Sequence, residues 1–241
     1  MVYQLFYWPE IQGRGEFVRL ALEEADADYV DVARKSGKGF GMPAMLHFLN
    51  DRAATHPPFA PPFLQAGRLV IGQTANILMF LGGRHGLAPQ DERGRLWTHQ
   101  LQLTLADFLV EVHDTHHPIG SGLYYEEQKR ESQRRSRDFL RHRLPKFLGY
   151  FERLLARGKG GSAHLVGAKL TYVDLSMFQT IAGLNYAFPR AMARVKRAHR
   201  RLFSLYARVQ ERPRIAAYLA SERRIPFNEQ GIFRHYSELD E

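Results

Sequence analysis

The residues best suited to bind a small ligand lie between positions 60 and 74. Pro62 heads an apolar run that begins at Phe63, and proline is poorly tolerated inside a sheet. We therefore expect a cis peptide bond in a turn before the strand. Gln73 and Thr74 open a helix, whose free N–H groups and dipole favour an anion. The segment predicts a carboxylate site, although two ordinary strands and a capped helix would leave the same pattern.

Three histidines form a second group with chemical potential. His113 and His117 share one helix face, and His116 lies between them, so their imidazoles could bind a metal ion. No partnering cysteine or clear carboxylate box accompanies them. We therefore predict that this group binds no metal.

Composition excludes several classes of protein. The 241 residues suffice for one large domain or two modest ones, and a hydrophobic content of 44 % is ordinary for a globular core. The absence of cysteine excludes disulfides, thiolate metal sites and a cysteine nucleophile, and it fits a cytoplasmic protein. No apolar run reaches the roughly 18 residues of a membrane helix, and no basic segment precedes the first apolar residues. We predict neither a membrane span nor a secretory signal.

The net charge of +9 comes largely from arginines within residues 190–214, which we expect to lie in one helical stretch. Such a run could attract nucleic acid or anionic ligands. More commonly it is a solvated helix face, and no recognition motif accompanies it. We predict no nucleic-acid partner.

The first third of the chain alternates strands and helices. Periodicity and composition predict strands at 3–7, 29–32, 63–64 and 69–71, and helices from 14, at 45–49 and at 74–84. A glycine-rich linker follows at 82–89. The remainder is predicted to be helical, with helices at 93–117 and at 126–155, the latter with an interruption at Pro145. Residues 209–219, with Pro213 inside, resemble the late helix of the family considered below.

One helix start is sharply defined. Thr171 and Asp174 have the spacing of a capping box, with aspartate where glutamate or glutamine is usual. Leu170 and Leu175 occupy the hydrophobic-staple positions. We predict that an apolar core helix begins here and runs through Ile181.

In this order of elements the chain resembles the cytosolic glutathione transferases. Within that family it resembles the tyrosine-type enzymes, and specifically a bacterial member. The residues that carry the resemblance are Tyr7, Gly13 with Arg14, Pro62, Gln73 with Thr74, and the Thr171–Asp174 box. It implies an α/β thioredoxin-like N-terminal domain (1–84), a linker (85–91) and an all-α helical-bundle C-terminal domain (92–241). It also implies a cytoplasmic homodimer that conjugates glutathione to small hydrophobic electrophiles, or catalyses a related reduction or isomerisation, without a nucleic-acid or membrane partner.

The resemblance assigns the catalytic roles to Tyr7 and Arg14. The tyrosine hydroxyl would donate a hydrogen bond to the glutathione sulfur, and the arginine would lie near that sulfur. No serine precedes Arg34 and the chain lacks cysteine, which disfavours the serine and cysteine types of the family. A tyrosine and an arginine with purely structural roles are the alternatives.

The remaining site residues also follow from the resemblance. Gln73 and Thr74 would bind the γ-glutamyl carboxylate, and Asp107 would reach the γ-glutamyl ammonium across the dimer. Pro61 and Pro62 would contact the cysteine backbone of glutathione. Lys38 and Lys35 are candidates for its glycine carboxylate only because an anion needs a cation nearby, not because the resemblance places them. Trp8, His113 and His117 would line the electrophile pocket.

The chain departs from the family pattern at Pro61, which has no N–H and so cannot form one of the two expected backbone bonds to glutathione. Residues 35–58 are too divergent to place the glycine-carboxylate contacts. A non-catalytic protein that binds glutathione or apolar ligands with the same fold therefore remains the alternative function.

Overall fold

The computed structural model describes residues 1–51, 53–157 and 161–241. A four-stranded sheet is built from the first 72 residues, in the spatial order β2-β1-β3-β4. Strand β1 pairs in parallel with β2, whereas the β1–β3 and β3–β4 pairs are antiparallel. The strands are β1 (Tyr3–Phe6), β2 (Tyr29–Asp31), β3 (Phe63–Ala66) and β4 (Leu69–Gly72), close to the predicted positions.

Helices cover both faces of this sheet. Successive strand residues point to opposite faces. Leu5 packs into the main core with helices α1 (Gly15–Glu24) and α3 (Thr74–His85), and Phe6 packs into a smaller cluster with Met45 of α2 (Gly41–Leu49). This arrangement confirms the predicted thioredoxin-like fold of the N-terminal part.

The described residues after Gly72 contain helices and turns but no strand. The helices after α3 are α4 (Glu92–Asp114), α5 (Lys129–Asp138), α6 (Leu144–Ala156), α7 (Tyr172–Ala187), α8 (Pro189–Val195), α9 (Arg200–Gln210) and α10 (Pro213–Leu219). Helix α7 is buried along most of its length and packs against α1, α4 and α9. None of the described helices combines the length and the apolar character needed to cross a membrane.

The predicted start of α7 is confirmed. Thr171 and Asp174 form a capping box, in which the Asp174 carboxylate accepts the backbone N–H of Thr171 at 2.7 Å. The same carboxylate accepts the backbone N–H of Leu165 at 2.8 Å. Leu170 and Leu175 both lie in the main core, as the staple requires.

Two prolines act differently from the prediction. Instead of breaking the helix, Pro145 lies in the first turn of α6, directly after a π-helical segment, Phe139–Arg143, that continues α5. The wider π turn accommodates a residue that cannot donate a backbone hydrogen bond. Pro213 begins α10, so residues 209–219 span the end of one helix and the start of another. The late arginines consequently lie on several helices rather than one.

A buried ionic network joins α1 to the C-terminal residues. The fully buried Arg19 donates to Asp31 Oδ2 at 2.7 Å and to Glu16 Oε2 at 3.2 Å. The other oxygen of Glu16 accepts the Tyr218 hydroxyl at 2.8 Å and a hydrogen bond from Arg224. Because unpaired buried charges are costly, these bonds hold the start of α1 in one orientation.

Candidate functional site

Strand register brings the predicted ligand-binding residues to one edge of the sheet. Phe63 pairs with Phe6 on one side and with Gly72 on the other. The neighbouring residues Tyr7, Pro62 and Gln73 therefore lie side by side where these strands end, and Thr74 follows at the start of α3. We call these four residues the sheet edge. The Pro61–Pro62 peptide bond within it is cis, as predicted.

Tyr7 is enclosed by a glycine-rich turn. A Cβ on Gly13 would lie 2.1 Å from the Tyr7 hydroxyl, and one on Gly15 would lie 2.5 Å from the ring. Gly13 also has a φ of +43°, which disfavours other residues. The Tyr7 side chain is 4 % exposed, and its hydroxyl accepts the backbone N–H of Arg14 at 2.8 Å. Glycine at both positions is thus required for the tyrosine to lie against the start of α1.

The Tyr7 hydroxyl is a proton donor at neutral pH. Burial raises the pKa of Tyr7 above its usual value, although the Arg14 N–H and the charges of Arg14 and Arg19 act against this rise. The hydroxyl accepts from Arg14, and among the described residues no group accepts its own proton. The O–H is therefore available to a ligand atom with a lone pair.

Thr74 provides the second free polar group of the sheet edge. Its Oγ1 is buried and has no partner in the described part of the chain. The preceding Gln73 has a φ of +68°, an uncommon value for a residue other than glycine, and its side chain is exposed. First-turn N–H groups of a helix lack intrahelical acceptors, so this hydroxyl and the start of α3 together suit an anion.

The charge of Arg14 acts on the group of histidines at the end of α4. No described residue forms an ion pair with the Arg14 side chain. Burial, followed by the charges of His117, Arg14 and Arg234, lowers the pKa of His113 to about 4. The charge of Arg14 thus influences the pKa of both Tyr7 and His113.

The histidines themselves are neutral at physiological pH. Burial lowers the pKa of His116 to about 2, against the opposing effect of its bond to the Ile232 carbonyl. Burial and the Arg234 charge also lower the pKa of His117. The ring centroids of His113 and His117 are 5.3 Å apart. We call His113, His116 and His117 the histidine turn.

Trp8 lines a separate groove of about 460 Å³. Met42 of α2 and Gln230 of the C-terminal segment also line it. This segment is held in place by Asn228, whose amide donates to the Glu10 carbonyl at 2.8 Å. The part played by the C-terminal segment was not predicted, because its apolar residues show no helical or strand period.

Comparisons with known proteins agree with this architecture. A family model described as "Glutathione S-transferase, C-terminal domain" matches residues 113–222. A glutathione S-transferase of Plasmodium falciparum is 24 % identical over 195 residues, which cover 78 % of this chain and 83 % of the relative. Glutathione S-transferase P 1 of Xenopus laevis is 26 % identical over 226 residues, covering 92 % and 93 % of the two chains. These similarities support membership of the glutathione transferase family.

Two solved structures share the fold of this chain. The enzyme of Ascaris lumbricoides superposes with a TM-score of 0.69 at 23 % identity, covering 94 % of this chain and all of the other. Prostaglandin synthase D of Nilaparvata lugens gives a TM-score of 0.70 at 18 % identity, again over 94 % of this chain and all of the other. At these identities the likeness concerns the fold alone.

Two of the predicted site residues are not bonded to the sheet edge within one chain. Lys38 is exposed in the loop before α2, and Asp107 is exposed on α4. No hydrogen bond or ion pair links either side chain to another described residue. Their predicted roles depend on a ligand or on a second subunit.

Proposed function

We propose that this protein conjugates the thiolate of glutathione to small hydrophobic electrophiles. The observation that carries the proposal is the Tyr7 hydroxyl, whose proton has no acceptor among the described residues. Its position on the sheet edge, beside the unpartnered hydroxyl of Thr74, suits a ligand with a thiol and a carboxylate.

Tyr7 would act on the sulfur as a hydrogen-bond donor. A free thiol has a pKa of about 8.5, so most of it is protonated at neutral pH. Lowering that pKa by about two units requires roughly 2.7 kcal/mol of preferential stabilisation of the thiolate. A hydrogen bond from Tyr7, together with the Arg14 charge, has the required sign and size. The thiolate then attacks the electrophilic carbon, and the leaving group departs with the electron pair of the broken bond.

The rest of glutathione would follow the sheet edge. The γ-glutamyl carboxylate would accept the Thr74 hydroxyl and first-turn N–H groups of α3, with Gln73 beside it. The Pro61 carbonyl would accept the cysteine N–H, while Pro61 offers no N–H in return. Lys38 would supply a cation to the glycine carboxylate.

Two sets of residues would receive the electrophile. The groove beside Trp8 offers apolar surface. His113 and His117 form the second set, and the charge of Arg14 acts on His113. The polar character of the histidines favours an electrophile that carries a hydrogen-bonding group on an apolar body.

A homodimer is part of this proposal. Phe59 is 95 % exposed next to a groove of about 670 Å³ that Leu69 and Met79 also line. Leu103 and Val110 are exposed on α4, the helix that carries Asp107. Exposed apolar side chains grouped in this way are typical of a protein interface. A second subunit would bring Asp107 to the γ-glutamyl ammonium of its partner.

The test combines glutathione affinity, measured by calorimetry, with turnover of an aryl halide. We expect Thr74→Val to weaken glutathione binding about tenfold, because a hydrogen bond to a charged group contributes roughly 1.5–3 kcal/mol. The free energy of unfolding without ligand should not fall, since the variant removes an unpartnered buried hydroxyl. Thr98→Val is the matched control, because the Thr98 hydroxyl donates to the Gly94 carbonyl within α4.

Equal glutathione affinity in the wild type and Thr74→Val would contradict the placement of the carboxylate. Binding without turnover of any aryl halide would favour the alternative, a non-catalytic glutathione-binding protein, which the missing N–H at Pro61 makes reasonable. A cytoplasmic location stays a prediction.

A further inference from the structure

The histidine turn gathers three imidazoles on one turn of backbone. His113 lies in the last turn of α4, and the backbone N–H groups of His116 and His117 both donate to its carbonyl at 3.2 Å. One ring nitrogen of each histidine lies within 4.8 Å of those of the other two. The spacing i, i+3, i+4 therefore directs all three rings to a common point.

Hydrogen bonds define which nitrogens carry protons. His116 Nε2 lies 2.8 Å from the Ile232 carbonyl, which can only accept, so Nε2 is the donor and Nδ1 has the free lone pair. His116 Nδ1 lies 2.5 Å from His117 Nδ1, which must then be the donor between the two rings. A single proton is thus shared between the Nδ1 atoms of His116 and His117.

The histidine rings are held in place by neighbouring groups, and one of them is open to solvent. His116 and His117 are 1 % and 8 % exposed, whereas the His113 side chain is 24 % exposed and leaves a route from solvent. The bond from His116 to Ile232 is the kind of outer contact that orients a metal-binding histidine. Asp114 Oδ1 lies 3.9 Å from His113 Nδ1 and adds a negative charge beside the cluster.

We propose that His113, His116 and His117 bind one divalent transition-metal ion of the zinc, copper and nickel class, with a fourth position open to water. Imidazole suits these ions, whereas magnesium and calcium require oxygen ligands. Bonds of 2.0–2.1 Å in a tetrahedral site place ligand nitrogens ~3.3 Å apart, so the rings need to shift by about 1.5 Å at most. The ion takes the place of the shared proton, which moves to His117 Nε2 as that ring changes tautomer.

The surrounding charges select strong nitrogen-binding ions. The positive charge of Arg234 acts on all three rings, and that of Arg14 acts on His113. These charges oppose any cation, so only an ion that forms strong bonds to imidazole can bind. The site does not depend on glutathione and can be tested in its absence.

The experiment uses the untagged full chain, stripped with a chelator and titrated with zinc by calorimetry and with cobalt(II) by visible absorption. We expect one ion per chain and the intense d–d bands of tetrahedral cobalt. His113→Gln and His117→Gln should each weaken binding by more than about tenfold, since loss of an outer-shell partner alone typically has that effect. His142→Gln is the matched control, because His142 is an exposed histidine of the π segment.

Two results would overturn the proposal. One is a wild-type chain that takes up no stoichiometric zinc and gives only the weak spectrum of octahedral cobalt. The other is an unchanged affinity in both His113→Gln and His117→Gln. Because the cobalt spectrum of the wild type is decisive alone, the proposal remains testable even if a variant fails to fold.

Discussion

The sheet edge and the histidine turn are held together in different ways. Backbone geometry assembles the first, since strand register and the start of α3 align Tyr7 with Pro62 and Thr74. In the second, one turn of backbone gathers the rings and side-chain hydrogen bonds orient them, and the bond from His116 to Ile232 involves a residue 116 positions away. The first leaves hydroxyl groups free for an organic anion, and the second gathers neutral nitrogens suited to a metal. The two sites should therefore respond to different substitutions.

The largest expected effect is on the sheet edge. Tyr7→Phe removes one oxygen and keeps the ring between Gly13 and Gly15. We expect conjugation at slightly acidic pH to fall about 10- to 100-fold, which corresponds to roughly 1.4–2.7 kcal/mol of transition-state stabilisation. Glutathione affinity should change much less, because the carboxylates provide most of the binding. Initial rates at saturating glutathione measure this effect.

Tyr3→Phe is the matched control for that change. Tyr3 belongs to the same strand and is equally buried at 4 %, but its hydroxyl is hydrogen-bonded to His85 Nε2 at 2.9 Å. Its loss should leave the rate unchanged. Equal losses of rate in both variants would mean that Tyr7 acts only through packing. Zinc affinity should be the same in both, since neither tyrosine belongs to the histidine turn.

A smaller effect is expected on the stability of the fold, with no change at either site. Thr171→Ala removes the cap of α7 and should lower the free energy of unfolding by about 1 kcal/mol. Activity per folded molecule and zinc affinity should stay unchanged, because the box contacts neither site. Urea unfolding measures the change, with Thr104→Ala as control because its hydroxyl bonds only to the Gln100 carbonyl of its own helix. An unaltered unfolding midpoint would contradict the role of the cap.

The smallest expected effect concerns the second subunit. Asp107→Ala should raise the KM for glutathione by less than about fivefold, since an exposed ion pair contributes at most about 1 kcal/mol. The exposed Glu92 at the other end of α4 provides the control, as Glu92→Ala. Sedimentation at micromolar concentration should find a dimer in both variants. A wild-type chain that sediments as a monomer would refute the cross-subunit role of Asp107.

The two sites also differ in how far the sequence predicted them. Pro62, Thr74 and the Thr171–Asp174 box carry local signals, because turn and cap preferences depend on a few neighbouring residues. The sequence shows the three histidines at helical spacing, but it predicts no metal there because no cysteine or carboxylate box accompanies them. Its support from Ile232 depends on a distant segment without periodicity, which no local pattern reveals.

Pro145 and Pro213 show that local sequence signals are also insufficient to predict how the helices of this fold begin and end. Each is a local signal for a helix boundary, yet the outcome depends on the surrounding packing. At Pro145 a π segment keeps the helix continuous, whereas at Pro213 the chain starts a new helix. The sequence alone does not distinguish these outcomes, because proline is compatible with the first turn of a helix in both cases.

The most direct test of the proposed function is an ultraviolet titration of the thiolate of bound glutathione. It compares the wild type with Tyr7→Phe and Tyr3→Phe. Donation from the Tyr7 hydroxyl predicts a thiol pKa well below about 8.5 in the wild type and in Tyr3→Phe, and a rise toward that value in Tyr7→Phe. Identical titrations of the wild type and Tyr7→Phe would contradict the account, and Arg14 would then be the first residue to test as the thiolate partner.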